Sequence, residues 1–79
     1  MNTIKQGTMN DAVAATLRAE IAAQRLQLKD VAELAGIPDR TLNRYLKGER
    51  PINVNTLASL AAAVGLTSGE VWTKAAERM

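Results

Sequence analysis

Residues 26–48 read LQLKDVAELAGIPDRTLNRYLKG, and this stretch decides the fold. In its first half, apolar residues recur at the helical spacing i, i+3, i+4 and i+7: Leu28, Val31, Ala32 and Ala35. Gly36 follows directly, as glycine often does where a helix ends in the left-handed region. Pro38 is disfavoured inside a helix but tolerated at its start, so the next helix should begin within a residue of it.

The turn between these two predicted helices, residues 35–38, is short and contains glycine. A turn of this kind forces a steep crossing between its helices, which is the helix-turn-helix arrangement. We expect the second of them, the third helix of the chain, to run to about Lys47 and to be closed by Gly48.

This third helix carries two different faces. At about 100° per residue, three cations fall within roughly 60° of arc: Arg40, Arg44 and Lys47. Three large apolar side chains fall on the opposite face: Leu42, Tyr45 and Leu46. One side can therefore pack on a core while the other presents cations to a partner.

Toward the N-terminus, residues 1–7 have no periodicity and end in glycine, which predicts a flexible arm. Thr8 with Asp11 resembles a capping box, and Asn10 is a second candidate N-cap. Apolar residues then recur every four positions and predict a first helix to about Arg25: Val13, Leu17 and Ile21.

Toward the C-terminus, residues 49–52 are predicted to form a loop, and Asn53 can cap the helix that follows. Apolar residues at helical spacing predict this fourth helix: Leu57, Leu60, Ala61 and Val64. Gly65 ends it, and Thr67 with Glu70 forms the T-x-x-E capping box of a fifth helix.

A chain of 79 residues has room for one domain, residues 8–79, in an all-α fold of five short helices. Hydrophobic residues make up 47%, many of them alanine, which suits closely packed helices better than a β-sandwich. No stretch reaches the roughly 18–20 apolar residues of a membrane span, so we expect a cytoplasmic protein without a membrane partner. Because cysteine and histidine are absent, we expect no disulfide, metal site, cofactor or enzymatic activity.

The net charge of +2 does not by itself identify a partner, but its distribution is informative. Residues 40–50 hold four cations and one acid, so the positive charge is concentrated there. Two arginines one turn apart can reach guanine O6 and N7 in a major groove, while neighbouring cations reach phosphates. The alternative is that the basic face is ordinary solvated surface.

The stretch from Leu26 to Gly48 also resembles the Cro and lambda-type repressor (XRE) helix-turn-helix family. The similar features are a small alanine in the second helix, Ala-Gly at the turn, a polar third helix and a closing glycine. The likeness continues through residues 57–66 and covers roughly residues 13–72. It implies a lambda-repressor-like domain whose third helix enters the major groove of double-stranded DNA, usually as a dimer on a near-palindromic operator.

By position, the resemblance implies two sets of DNA contacts. Base contacts are expected from Asp39, Arg40 and Arg44. Backbone contacts are expected from Gln27, Lys47, Arg50 and Asn53, with Thr41 and Asn43 as further phosphate or water-mediated contacts. Asp39 can instead stabilise the start of its helix through the dipole, and each arginine can instead contact a phosphate.

Three features depart from the family pattern. Leu28 stands where the family has a phosphate-binding glutamine, and the apolar stripe predicts that it is core. Ile21 and Leu46 stand where the family often pairs an arginine with a glutamate, so we expect an apolar contact there. Pro38 replaces a serine or threonine cap.

The fifth helix carries a broad apolar face, which we expect to be the interface of a homodimer: Val71, Trp72, Ala75 and Met79. Tryptophan is enriched at protein interfaces, and association reinforces the small core of a short chain. The alternative is that Trp72 packs inside its own domain.

These features predict a sequence-specific, double-stranded DNA-binding transcriptional regulator of the small phage-repressor or Cro type, without a small-molecule ligand. An antitoxin or the controller protein of a restriction system could use the same domain. A protein-interaction module that lost operator binding is the alternative from another class, and it predicts weak binding that is indifferent to DNA sequence. An enzyme is a distant third, because the carboxylates have no base, metal site or phosphate loop beside them.

Overall fold

The computed structural model describes residues 8–79, which form five α-helices and no strand, as the sequence predicts. The helices are α1 (Thr8–Ala23), α2 (Leu28–Ala35), α3 (Asp39–Leu46), α4 (Val54–Ala63) and α5 (Ser68–Glu77). The arm predicted over residues 1–7 lies outside the described residues. Within the described part, no helix has both the length and the apolar character needed to cross a membrane.

The core lies between α1 and the four shorter helices. α1 packs against α3 and α5, while α2 packs against α3 and α4. The apolar stripes predicted for α1 and α4 are buried in this core: Val13, Leu17, Ile21, Leu57, Leu60, Ala61 and Val64. Because α3 lies against both α1 and α2, its remaining surface faces solvent.

The end of α2 has the left-handed glycine that the sequence predicts. Gly36 has a φ of +74°, and its N–H donates to the carbonyl of Glu33 at 3.1 Å. The N–H of Ile37 donates to the carbonyl of Ala32 at 3.0 Å, which completes the usual six-residue closure of a helix end. Two residues later α3 begins, so the predicted tight turn is confirmed.

The predicted N-caps of α4 and α5 are also present. Asn53 Oδ1 accepts from the N–H of Thr56 at 2.8 Å. Thr67 Oγ1 accepts from the N–H of Glu70 at 3.1 Å, and Glu70 Oε1 accepts from the N–H of Thr67 at 2.8 Å. The capping box therefore satisfies two backbone donors at the start of α5.

Leu28 is not in the core, contrary to the sequence prediction. Its side chain is 41% exposed, whereas Val31 and Ala32 are each 1% exposed. Leu28 is the first residue of α2, and this end of the apolar stripe lies outside the part of α2 that is covered by the core. Helical spacing identifies the face that a residue occupies but does not tell whether that end of the face is covered.

α1 ends at Ala23, two residues earlier than the sequence predicts, because Arg25 leaves the helical conformation. Arg25 has a φ of +56° and is the non-glycine residue with positive φ among the described residues. The N–H of Leu26 reaches back to the carbonyl of Ile21 at 3.0 Å. The helix thus ends as a glycine-closed helix does, but with an arginine in the left-handed position.

Long side chains on α1 and directly after it satisfy backbone carbonyls at the ends of other helices. Arg18 donates from Nη1 to the carbonyl of Leu46 at the end of α3. Gln24 donates from Nε2 to the carbonyl of Val64 at the end of α4, at 2.8 Å. Since the last carbonyls of a helix have no partner within it, these two bonds fix the short helices to α1.

α5 is tied to α1 by a side-chain hydrogen bond as well as by packing. Arg78 donates from Nε to the hydroxyl oxygen of Thr16 at 3.0 Å. Thr16 is 1% exposed and donates its own proton to the carbonyl of Ala12 at 2.8 Å. The buried hydroxyl is therefore used both as donor and as acceptor.

We predict that Arg25→Gly stabilises the protein by about 0.5–1 kcal/mol, because glycine adopts the left-handed conformation without the strain of a Cβ. Urea unfolding followed by circular dichroism measures the change. Arg25→Ala is the matched control, since it removes the same charge but keeps the Cβ. If Arg25→Ala stabilises as much as Arg25→Gly, the charge and not the backbone conformation is responsible.

Candidate nucleic-acid interface

α3 separates its apolar residues from its cations, as its sequence spacing predicts. The apolar face is buried: Leu42, Tyr45 and Leu46. The cationic face is exposed: Arg40, Arg44 and Lys47. Because the buried residues fix the rotation of α3 about its own axis, the cations point away from the core.

The start of α3 has a proline in place of a capping side chain. Pro38 is the N-cap residue, with a φ of −65° and no side-chain cap hydrogen bond. The first backbone N–H groups of α3 therefore remain available to an acceptor outside the helix. Asp39 is exposed in this first turn, where a negative charge is favourable to the helix dipole. Both interpretations of Asp39 are compatible with this position.

The end of α3 is closed by Gly48, which has a φ of +77°. The N–H of Glu49 donates to the carbonyl of Arg44 at 2.9 Å, and the N–H of Gly48 to that of Tyr45 at 3.0 Å. A Cβ at Gly48 would lie 2.8 Å from Oδ1 of Asp11, at the end of an exposed side chain that can move aside, so the positive φ is the stronger reason for glycine here. The left-handed conformation thus favours the predicted closing glycine.

The loop between α3 and α4 is held by α1. Asn10, which the sequence suggests as an N-cap, instead donates from Nδ2 to the carbonyl of Arg50 at 3.3 Å. Its Oδ1 accepts from the N–H of Ile52 at 2.8 Å. Asn10 is the third residue of α1, so the helix has already begun and its amide is free to reach across to the loop.

Arg50 lies beside the apolar face of α3. Its guanidinium carbon is 5.5 Å from the centroid of the Tyr45 ring, within cation–π range. Tyr45 is 7% exposed, so its ring belongs to the core as predicted, while Arg50 remains exposed. The loop cation therefore lies beside the C-terminal half of α3.

The other side chains predicted to contact the DNA backbone lie at three places. Gln27 is the exposed N-cap residue of α2 and forms no capping bond. Thr41 and Asn43 lie on α3, the first half-buried and the second exposed. Asn53 is exposed, but its Oδ1 already caps α4, which leaves its amide N–H groups for a partner.

A cavity of about 250 Å³ lies where α1, α2 and the second half of α3 meet. Its walls include Leu28 from the start of α2 and both Asn43 and Lys47 from α3. This shared wall shows that the start of α2, which follows Gln27, lies beside the cationic end of α3. The predicted backbone contacts from these two helices are thus neighbours in the fold.

A helix-turn-helix family model matches residues 17–71, which is more than two thirds of the chain. This chain belongs to the Cro and lambda-type repressor (XRE) helix-turn-helix family. In this XRE domain, α2 and α3 are the two helices of the motif, and residues 36–38 form its turn.

Solved structures agree with this family membership. A crystal structure of the clp gene regulator ClgR from C. glutamicum is 27% identical, with a TM-score of 0.83 over 90% of this chain and 92% of that chain. A second crystal structure of this regulator is 26% identical, with a TM-score of 0.83 over 89% and 74% of the respective chains. Curated protein sequences give no significant match. The family and these neighbours indicate a DNA-binding transcriptional regulator.

The XRE pattern often has an arginine–glutamate pair between the first and third helices, and this domain replaces it. Ile21 and Leu46 are 7% and 5% exposed and line the same cavity, which is consistent with the expected apolar contact. Arg18, one turn before Ile21, supplies a cation that bonds to the carbonyl of Leu46. Sequence reasoning missed Arg18, although its i, i+3 spacing from Ile21 places it near the same helix face.

Two of the four residues predicted for a dimer interface are instead part of the core of this XRE domain. Val71 and Ala75 are each 0% exposed, because α5 turns this side toward α1 and α4. Trp72 and Met79 are 52% and 60% exposed. The apolar residues predicted for one interface are thus divided. Val71 and Ala75 are covered by their own chain, whereas Trp72 and Met79 are exposed.

We predict that Arg18→Met lowers the free energy of unfolding by about 1–2 kcal/mol, because the carbonyl of Leu46 loses a charged donor. Methionine keeps an unbranched apolar side chain against the cavity wall. Lys29→Met, on the exposed surface of α2, controls for the loss of one positive charge. Equal midpoints of urea unfolding for the two variants would contradict a stabilising role of the Arg18 bond.

Proposed function

We propose that this protein is a transcriptional regulator of the small phage-repressor or Cro type, which binds a near-palindromic operator in double-stranded DNA as a homodimer. The observation that carries the proposal is the arrangement of α3 in its helix-turn-helix motif, with one face buried and three cations exposed on the other. We expect the protein to act in the cytoplasm, where its DNA operator would lie.

In this proposal, α3 lies in the major groove and reads bases through the residues of its exposed face. Arg40 and Arg44 are one turn apart, so both can reach base edges while Leu42 stays buried. Arginine recognises guanine by two parallel hydrogen bonds to O6 and N7. Asp39, at the start of α3, can accept from a cytosine amino group.

The backbone contacts surround this helix. Lys47 follows the last turn of α3, and Arg50 lies in the next loop, so the two cations can bind phosphates that flank the groove. Gln27 and the uncapped start of α2 offer polar donors near the same end of α3. Thr41, Asn43 and Asn53 complete the proposed set.

The proposed dimer uses the outer face of α5. Trp72 lies on α5, and Met79 lies two residues beyond the end of this helix. Both are exposed in the single chain, and a half-exposed tryptophan is a typical centre of a protein interface. The buried Val71 and Ala75 support this helix from the inside.

Selection of bound fragments from a pool of random DNA duplexes tests the proposal. A dimer should enrich two half-sites in opposite orientation, with centres about 10–10.5 base pairs, or a multiple of this, apart. Enrichment of no common sequence would contradict a sequence-specific regulator and would favour a module that has lost operator binding.

We predict that Arg44→Ala and Lys47→Ala weaken DNA binding in different ways. Arg44→Ala should cost about 1–3 kcal/mol on the selected operator and relax the preference at one base position, with little effect on random duplex. Lys47→Ala should weaken both duplexes alike and lower the slope of log K against log salt by about one. Binding isotherms on both duplexes at several salt concentrations measure the difference.

Each possible failure of this pair of variants has a definite meaning. If Arg44→Ala weakens operator and random duplex equally, Arg44 binds a phosphate, and base reading passes to Arg40 and Asp39. If neither variant changes binding, α3 is not the recognition helix, and the proposed function is wrong.

We predict that Trp72→Ala shifts the protein toward monomer and weakens operator binding through the loss of dimer. Sedimentation at micromolar concentration measures the oligomeric state. Leu34→Ala is the matched control, since Leu34 is a large apolar residue that is 72% exposed on α2. A dimer that persists in Trp72→Ala would place the interface elsewhere.

A further inference from the structure

The backbone around Arg50 is fixed on both sides of a proline. The single amide of Asn10 bonds to the carbonyl of Arg50 at 3.3 Å and to the N–H of Ile52 at 2.8 Å. Pro51, between them, has its φ restricted by its ring. A loop that connects α3 to α4 is thereby held at two residues, one on each side of Pro51, by a side chain about forty residues away in sequence.

The side chain of Arg50 is held as well. Its guanidinium lies 5.5 Å from the centre of the Tyr45 ring, and that ring is fixed because Tyr45 is buried in the core. The guanidinium has five N–H donors, and because Arg50 is exposed the ring does not cover all of them. Arg50 can therefore be held by the ring and still present donors to an anion.

The two arginines of α3 have no contacts like those that hold Arg50 within the described residues. Within residues 8–79, neither Arg40 nor Arg44 has a side-chain hydrogen bond, an ion pair or an aromatic ring as a partner. Exposed arginine side chains without partners sample many rotamers, and ordering one of them on binding opposes association. Arg50 should therefore lose this side-chain entropy when the protein folds, before any partner binds.

We propose that Asn10 and Tyr45 are positioning residues that hold Arg50 in place as a preorganised clamp for one phosphate of the DNA backbone. Asn10 fixes the main chain of the clamp and Tyr45 fixes its guanidinium. The inference deepens the proposed function and rests on it for the identity of the anion, but the order of Arg50 is a property of the protein without DNA.

The order of Arg50 is tested first, in the free protein. ¹⁵N relaxation of the arginine Nε–H groups should show a rigid Arg50 beside a mobile Arg44. The rigidity should be lost in Asn10→Ala and in Tyr45→Leu but retained in Tyr45→Phe, which keeps the ring. Because Asn10→Ala and Tyr45→Phe do not remove a large core side chain, they decide the matter even if Tyr45→Leu does not fold. An Arg50 as mobile as Arg44 in the unmodified protein would overturn the proposal.

The effect on binding is tested with a DNA duplex of random sequence, because a backbone contact does not depend on bases. Asn10→Ala should weaken binding roughly threefold to tenfold, the equivalent of ordering one long side chain. Its salt slope should stay unchanged, since Arg50 still reaches its phosphate in the complex. Arg50→Ala should instead lower the slope by about one, and Asn10→Ala should have no further effect in that background.

Gln24→Ala is the matched control for a general loss of stability. Gln24 directly follows α1 and also bonds to a distant carbonyl, that of Val64 at 2.8 Å, but it has no hydrogen bond to the clamp. Gln24→Ala should leave binding unchanged. Equal weakening by Gln24→Ala and Asn10→Ala, or additive effects of Asn10→Ala and Arg50→Ala, would overturn the positioning role.

The two levels of the proposal fail separately. If Arg50 is rigid in the free protein and the unmodified protein binds no DNA duplex, the proposed function is wrong and so is the phosphate assigned to the clamp. If the protein binds DNA but Arg50→Ala leaves affinity and slope unchanged, the function stands and the clamp is overturned.

Discussion

The arrangement of the proposed interface depends on the burial of one side of α3, through Leu42, Tyr45 and Leu46. α3 has eight residues, most of them polar, and an isolated helix shorter than about 12–15 residues is only marginally stable in water. Its cations are exposed, so the helix is stabilised mainly because the three apolar side chains leave water. Burial of side chains of this size stabilises by about 1.5–3 kcal/mol each. The same contact that forms the helix therefore also decides which way its cations face.

Side chains on α1 and directly after it bond to carbonyls at the ends of the short helices. A helix of eight or ten residues leaves nearly half of its carbonyls without a partner inside the helix. Arg18 supplies a donor at the end of α3, and Gln24 supplies one at the end of α4. Asn10 does the same for the loop that joins them. Two of these side chains belong to α1 and Gln24 directly follows it, so α3, α4 and their loop are all positioned relative to α1, and so are the exposed cations.

The features that could be predicted from sequence are those decided by near neighbours. Gly36, Asn53 and the pair Thr67–Glu70 act on backbone groups within three to four residues, so their patterns identify turns and caps directly. The rotation of α3, and with it the exposure of the cations in the candidate site, follows from helical spacing alone. The predictions that failed were those that depended on which surfaces the other helices cover. Leu28 lies beyond the edge of the core, whereas Val71 and Ala75 lie under α1 and α4. The long-range bonds of Arg18 and Asn10 could not be predicted, because no local pattern identifies a carbonyl that lies 28 or 40 residues away.

The two kinds of cation around α3 differ in a way that suits the two kinds of contact proposed for them. The phosphate backbone has nearly the same geometry in every duplex, so a cation fixed in advance, as Arg50 is by Tyr45 and Asn10, meets an anion whose place is known. Base edges differ from site to site, and an arginine that reads them has to adjust its rotamer to the pair it meets. Arg40 and Arg44, on the solvent face without a partner in the described part of the chain, keep that freedom. A rigid Arg50 in the loop and mobile arginines on α3 are therefore compatible. The loop fixes the position of the domain on the DNA backbone, and the arginines of α3 then adjust to the bases.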